Sequence, residues 1–470
     1  MSRSRRWFVP ALGVAVAAGV LAAPAAAVAA PAGPAACDTT SAPYTYVVLY
    51  KPGQPVGQVD SELKAKCGAK VAYHPEIGVA VASSRNADFA QRIGVNRAYS
   101  GGKDIAAKGA AASRAAVGRL EETTSTPAGE GDLSAEQWDM RAIKAPEANK
   151  VNPGSGSVTV GVLDSGIDAK HPALAAAVDP KASAGCVTGA ADPAPASWAP
   201  TNSDHGTHVA GTIAGKDPAR GFTGIAPGVR LAAVKVVSDG GYIFPESAVC
   251  GFMWAAQHKF AVTNNSYYID PGMFYCAKEP GDAAAFEAVR RAVSFATGRG
   301  VLSVAAAGNA GFDIPKQTTD PNRPHQVDRS CAILPGGLDG VVTVSSVGYA
   351  GTKAAYSNYG RHAIEVTAPG GDSAQAPPPG QGAGCPLSTT VFGGPYGTKC
   401  GTSMASPHAA GVAALLASTH RGASPSVLTR LLAAGSDAVP CGSGAPTCSG
   451  PDRDNSYYGH GRVNALHAVK

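Results

Sequence analysis

Three short stretches of the chain carry side chains that could do nucleophilic chemistry: VLDSGID at 162–168, HGTHVAGTIAG at 205–215 and GTSMASPHAAGVAALL at 401–416. Asp164 comes off the end of an apolar run, Val158–Leu163, that reads as a buried strand. His205 and Ser403 each open a segment of small and apolar residues that reads as the start of a helix. A serine hydroxyl is a weak nucleophile. It attacks when a neutral imidazole takes its proton and a carboxylate fixes the tautomer and stabilises the resulting cation. Asp164, His205 and Ser403 supply those three groups. Singly, each has a plainer use: Asp164 or Ser403 could cap a helix, and His205 could pair with His208 on a metal. The metal pair lacks an HExxH pattern and a third ligand. His208, His408 and the remaining histidines therefore read as structural.

A fourth stretch, VLSVAAAGNAG at 301–311, is an apolar strand ending in Gly308–Asn309. The four stretches, in the order Asp, His, Asn, Ser, resemble the subtilisin-like serine proteases (subtilases, peptidase family S8). Chymotrypsin-like enzymes and α/β-hydrolases carry their triads in other orders. The resemblance covers roughly residues 138–470 and implies a secreted serine endopeptidase acting through an acyl-enzyme. Asp164, His205 and Ser403 would be its catalytic residues. It further implies that the Asn309 amide donates to the oxyanion, with the Ser403 N–H at a helix N-terminus as second donor. Ser238–Gly241 and Ser266 would line the cleft, so Gly240, Gly241, Ser266 and Gly308 are the expected substrate-binding residues.

The chain departs from the family pattern in three places. Cys400 stands where a Ser usually precedes GTSMA, and reads as half of a structural disulfide rather than a redox-sensitive thiol. Ala173 takes the place of a calcium-binding acid, and KDPARGFTGIAP at 216–227 lacks the usual Asn pair. No metal or cofactor is therefore assigned; a structural calcium stays open, although its usual ligands are not evident. Asp282 and Asp372 read as ordinary surface acids. Finally, NNSYYIDPG at 264–272 puts Tyr267 and Tyr268 where smaller residues shape a substrate pocket, which would reshape the pocket or move the chain.

The elements that must position these residues follow from pattern. From Trp138 onward, strands at 157–163, 230–237, 261–265, 300–306, 341–347 and 363–367 alternate with helices near 205–214, 246–259, 282–298, 403–418 and 425–434. This predicts an α/β fold, a mostly parallel sheet with helices on both faces. The stretch 370–400, dense in Gly and Pro, reads as a long irregular surface loop, with Cys385 and Cys400 as staples. Upstream, residues 44–100 read as a small α+β unit with strands at 44–50 and 79–83 and helices at 59–66 and 87–93. By resemblance it is an inhibitor-type prodomain.

Residues 1–30 have a basic start (Arg3, Arg5, Arg6), an apolar stretch from Trp7 to Leu21 and an Ala27-Val28-Ala29 cleavage candidate, which reads as a secretory signal. The expected organisation is 1–30 signal peptide, 31–100 prodomain, 101–135 linker with the maturation site, and 136–470 subtilisin-like catalytic domain. Ten cysteines in an exported chain predict disulfides; two lie before the catalytic part and eight within it, and Cys441–Cys448 reads as a local bridge. A net charge of +5 spread over 470 residues, without long basic runs, argues against nucleic acid as partner. The expected partners are polypeptide substrates and the chain's own prodomain, with no stable membrane association and a monomeric state. Two rival readings stay open: a narrow processing peptidase, and a catalytically silent binding protein on a protease scaffold.

Overall fold

The computed structural model describes residues 7, 36–108, 126–127, 131–323, 325–442 and 447–470. Most of the expected signal, 1–30, and most of the expected linker lie outside these residues. The N-terminal unit comprises β1 (Tyr44–Leu49), α1 (Val56–Ala65), β2 (Gly68–His74), β3 (Val79–Ser84), α2 (Phe89–Ile93), β4 (Ala98–Tyr99) and α3 (Gly101–Lys108). Its four strands form one sheet in the order β2-β3-β1-β4, and those of its ladders are antiparallel. Residues 101–108, read as part of a linker, are helical, and Thr126–Pro127 forms a short strand, β5.

The catalytic part begins with α4 (Trp138–Ala142) and α5 (Ala145–Val151). The main sheet contains β6 (Thr159–Asp164), β7 (Ala184–Gly185), β8 (Arg230–Lys235) and β9 (Val262–Asn265). A short antiparallel pair lies outside it, β10 (Tyr275–Cys276) with β12 (Cys331–Ala332); between them in sequence comes β11 (Leu302–Ala306), and β13 (Val341–Val347) and β14 (Val366–Pro369) follow. The seven-stranded sheet has the order β14-β13-β11-β9-β6-β8-β7, and all its ladders are parallel. Strands buried on both faces send alternate side chains to opposite cores. Val160, Val162, Leu231 and Ala233 enter the core that holds α6 (His205–Ala214), α9 (Thr402–Thr419) and α10 (Pro425–Ala434). Leu163, Ala232 and Val234 enter the opposite core, under α7 (Pro245–Gln257) and α8 (Asp282–Gly298). The α/β architecture and its helix positions match the sequence reading closely.

The Gly/Pro-rich stretch 370–400 is not wholly irregular. It contains a hairpin, β15 (Leu387–Thr389) with β16 (Tyr396–Thr398), closed at its base by the Cys385–Cys400 disulfide. Ser388 and Thr389 hydroxyls donate to the carbonyls of His208 and Thr207, so docking on α6 supplies order that composition did not suggest. Cys186–Cys250, Cys276–Cys331 and Cys441–Cys448 are the other bridges within the catalytic part, and no described cysteine is free.

The N-terminal unit shares a core with the catalytic part. Val47, Ile77, Val79 and Tyr99 pack with the apolar face of α7 and α8. Arg291 on α8 donates to the carbonyls of Tyr50 and Ile77 at 2.8 and 3.0 Å, satisfying backbone acceptors at the end of that sheet. Glu246, in the first turn of α7, is buried, and its Oε2 has no hydrogen-bond partner. It lies close to Val81 of β3, because a Cβ placed on Gly189 would touch both residues. Burial pushes the Glu246 carboxyl up from its ordinary 4.5 to about 8. An acid whose pKa is raised by folding holds its proton more tightly when folded. Its contribution is therefore complete below 4.5 and is lost as pH rises through about 8. The urea midpoint of the full-length chain is expected to fall between about pH 5 and about pH 9, with a shallower fall in Glu246→Gln. Parallel pH slopes in the two proteins would refute this role for the carboxyl.

Candidate active site

Parallel strands deliver their C-terminal ends to one edge of the sheet, and helices that follow them start there. β6, β9 and β11 are adjacent in the sheet, with Asn265 of β9 paired to Leu163 on one side and Ala305 on the other. Asp164 ends β6, Ser266 follows β9, and Gly308–Asn309 follows β11, so three segments of the site share that edge.

Asp164 and His205 are fully buried and in contact, with His205 Nδ1 at 2.8 Å from Asp164 Oδ1 and 3.0 Å from Oδ2. Ser165 N–H donates to Asp164 Oδ1 at 2.7 Å, and Ser165 Oγ accepts from Gly206 N–H, stitching the strand end to the first turn of α6. Gly206 permits that approach: a Cβ there would lie 2.4 Å from the Gly166 carbonyl oxygen and 3.0 Å from Asp164 Cβ. His205 Nε2 is buried without a hydrogen-bond partner. Ser403, in the first turn of α9, donates its hydroxyl to the Ser266 carbonyl at 3.2 Å instead. The Asp–His link is thus formed in the resting chain, while the Ser–His hydrogen bond is not.

Asn309 accepts from Thr402 N–H at 2.9 Å and from Thr402 Oγ1 at 2.6 Å through its side-chain oxygen. That pair of bonds fixes the amide plane and leaves Nδ2 on the opposite side from Thr402. Gly308 makes the bend with φ +95°, in the left-handed region that favours glycine, and its N–H donates to Thr402 Oγ1. Ser266 Oγ donates to the Ser403 carbonyl at 2.7 Å and accepts from Asn264 Nδ2. The Ser266 side chain is therefore spent on placing α9 rather than on facing the cleft. Gly240, exposed, and Gly241, half-buried, sit in a turn after β8, closed by Ser238 N–H to Tyr242 O and Gly241 N–H to Ser238 O.

The two tyrosines diverge. Tyr267 turns into the core and donates to Asn265 Oδ1, so it does not reshape the cleft. Tyr268 is half-buried against the cluster of Met273, Phe274, Val327 and Ile333 and receives a hydrogen bond from Asn322. The sequence reading overlooked a buried ion pair: Lys399 Nζ lies 3.1 Å from Asp204, the residue before His205. Burial alone would raise the Asp204 carboxyl, but Lys399 and the N–H groups of Val391 and Phe392 together hold it below its ordinary value. Burial, then Lys399, lowers His208 well below an ordinary histidine, so it is a neutral structural residue. Position next to His205 and Cys400 was the one sequence signal for this pair.

Asp282 and Asp372 are buried rather than surface acids. Asp282 pairs with Arg323, and Asp372 accepts backbone N–H groups of Ala355 and Ala374. Asp282 thus holds a buried arginine, and Asp372 holds two loop N–H groups. Cys276, Asp282 and His325 cluster, but Cys276 is in a disulfide and Asp282 is held by Arg323, which does not make a metal set. The family's calcium position does not fit an oxygen cage either. Ala173 packs there with Leu133, Phe222, Leu387 and Tyr396.

Residues 155–461 match the profile of the subtilase family, Peptidase S8. The chain belongs to the subtilase family. It is 31% identical to subtilisin DY of Bacillus licheniformis over 71% of its own length and 98% of that protein. Its fold is similar to the crystal structure of an epidermin leader peptide processing serine protease from Staphylococcus aureus, with TM-score 0.70 at 20% identity over 91% of this chain and 98% of the other. That overlap is longer than residues 136–470 alone can supply. A lanthipeptide protease is similar with TM-score 0.57 at 25% identity, over 72% of this chain and 94% of its own. This subtilase is a serine endopeptidase, a hydrolase acting on polypeptides. Replacing Asn309 by Ala is expected to lower kcat about 100–1,000-fold with little change in KM, the usual loss for one oxyanion donor. A variant that loses mainly substrate affinity would contradict the assignment.

Proposed function

We propose that this subtilase is a secreted serine endopeptidase made as a preproenzyme, with Asp164, His205 and Ser403 as its triad. The observation that carries the reading is the buried Asp164–His205 contact at the sheet edge where Ser403 opens α9. Ser403 Oγ turns from the Ser266 carbonyl to His205 and attacks the peptide carbonyl. His205 Nε2 takes the hydroxyl proton and then passes it to the leaving amine. Asp164 keeps Nδ1 as the donor and stabilises the imidazolium. Asn309 Nδ2 and the Ser403 N–H hold the oxyanion, and Gly240, Gly241 and Gly308 bind substrate backbone. No metal or cofactor enters the reaction.

Secretion is supported by the basic and apolar start of the chain and by the disulfides, which persist in oxidising compartments. The N-terminal unit, packed on α7 and α8, acts as intramolecular inhibitor and folding template, and is cut away on maturation. The mature enzyme acts as a monomer away from membranes, and no described helix is long and apolar enough to cross one. A narrower reading has its own support. One structural neighbour is a leader peptide processing protease and another a lanthipeptide protease, so this chain would mature one exported peptide. Casein digestion against a defined peptide library separates broad from narrow activity.

The test of the central reading is Ser403→Ala. It is expected to abolish peptide hydrolysis and serine-directed phosphonate labelling while the fold is kept, and the full-length chain is expected to accumulate uncut. Labelling retained in the variant would remove Ser403 from the role, and an unlabelled wild-type protein would favour the silent scaffold.

A further inference from the structure

Asn309 stands just past the point where the sheet stops holding its own strand. β11 pairs with β13 as far as Ala306 opposite Val344, and Ala307 N–H still donates to the Val344 carbonyl. Beyond Ala307 the chain leaves the sheet: Asn309 is half-buried, and Ala310 and Gly311 are exposed. A donor that stabilises an oxyanion has to be in position before charge develops, since reorganising at that moment forfeits much of its effect. Something other than the β11 ladder must hold this segment.

Asn358, which is fully buried, touches three successive peptide groups there. Its Nδ2 donates to the Ala307 carbonyl at 3.0 Å, its backbone N–H donates to the Gly308 carbonyl at 2.9 Å, and its Oδ1 accepts from Ala310 N–H at 2.9 Å. Those are the peptide groups before Gly308, between Gly308 and Asn309, and after Asn309. An amide side chain carries a donor and an acceptor on one planar group, which lets it hold a carbonyl and an N–H together. It also fills the inside of the bend, because a Cβ on Gly308 would lie 2.6 Å from Asn358 Nδ2.

Asn358 is itself fixed. Ser357 Oγ accepts from Ser346 N–H on β13 at 2.9 Å and donates to the Asn358 carbonyl at 3.0 Å. Lys353 Nζ donates to the Ser357 carbonyl at 2.9 Å and lies 5.2 and 5.3 Å from the ring centres of Tyr359 and Tyr457. Thr402 thus holds the side chain of Asn309, and Asn358 holds the backbone on both sides of it.

We propose that Asn358 is a positioning residue for the hydrolysis: its amide sets the backbone around Asn309, and thereby where the Asn309 donor meets the oxyanion. The proposal rests on Asn309 being that donor. Loss of the Asn358 amide leaves the Ala307 carbonyl and the Ala310 N–H without their partner and lets the bend shift. A misplacement of about 1 Å at such a group costs on the order of 100-fold in rate. The oxyanion exists only after attack, so the loss falls on kcat and spares KM.

The experiment compares the secreted protein with Asn358→Ala, Asn309→Ala and the double variant. Rates are referred to Ser403 titrated to completion with a phosphonate. Asn358→Ala is expected to lower kcat about 10–100-fold with KM within about twofold. In the Asn309→Ala background the same change is expected to cost less than about twofold, because the group it positions is gone. Asn358→Ser, too short to reach both partners, is measured alongside and is expected to follow the alanine variant. Full additivity in the double variant overturns the proposal. So does a loss of rate that matches the loss of titratable Ser403, up to variants that yield none, since Asn358 would then serve folding alone. Asn309→Ala with unchanged kcat would overturn the oxyanion reading and this proposal with it, and a wild-type protein that the phosphonate does not label would overturn the protease reading.

Discussion

A helix that is buried along almost its whole length sets the terms for everything around it. Residues Thr402–Ser418 of α9 have no exposed face, and they contact the sheet, α6 and α10. A helix can pass through the middle of a domain only if its side chains are small enough to let neighbours close in. Ala409, Ala410, Ala413 and Ala414 provide that, and Gly411 faces Ile225, whose Cβ would lie 2.8 Å from a Cβ at that position. The polar groups on such a helix must find partners inside it or across it. His408 does both, with Nδ1 at 2.7 Å from the Met404 carbonyl and Nε2 at 3.0 Å from buried Asp139 on α4. The start of the catalytic part is thereby tied to the helix that carries Ser403. Breaking one side of a buried pair of this kind leaves an unpartnered polar group and is costly.

The same economy of positions explains why the site is mostly backbone and short side chains. Thr402 spends its N–H and hydroxyl on the Asn309 oxygen, Ser266 spends its hydroxyl on the Ser403 carbonyl, and Ser165 bridges β6 to α6. Each bond is modest, but together they leave few rotamers for the groups that matter. What remains loose is the Ser403 hydroxyl, which rests on the Ser266 carbonyl rather than on His205. In the full-length chain the Asp164–His205 contact and the Asn309 amide are held in place, while the Ser403 hydroxyl is turned to the Ser266 carbonyl.

Much of this could be read from residues. Periodicity located the strand ending in Asp164 and the helices opening at His205 and near Ser403, because buried parallel strands and an amphipathic or buried helix leave strong apolar patterns. Motif order then indicated which side chains converge. The hairpin at 387–398 was hidden because composition reports local propensity, whereas its order comes from docking on α6 through Ser388, Thr389 and Asp204. Tyr267 was expected to reshape the pocket or move the chain, and it points into the core instead, because spacing gives position along the chain and not the direction of the side chain. Asp282 and Asp372 looked like surface acids for a related reason: their partners, Arg323 and backbone N–H groups of Ala355 and Ala374, are distant in sequence or belong to loops.

The shared core between the N-terminal unit and the catalytic part has a consequence for handling the protein. Val47, Ile77, Val79 and Tyr99 cover an apolar face built by α7 and α8, with half-buried Trp254, Phe286 and Phe295 around it. Detaching the unit would leave an oily platform on an otherwise ordinary hydrophilic surface. A patch of that kind promotes adsorption to plastic, glass and air–water interfaces, and pairing of one freed molecule with another. Such a protein would keep better at low concentration, or with mild non-ionic detergent, than its uncut precursor does without either.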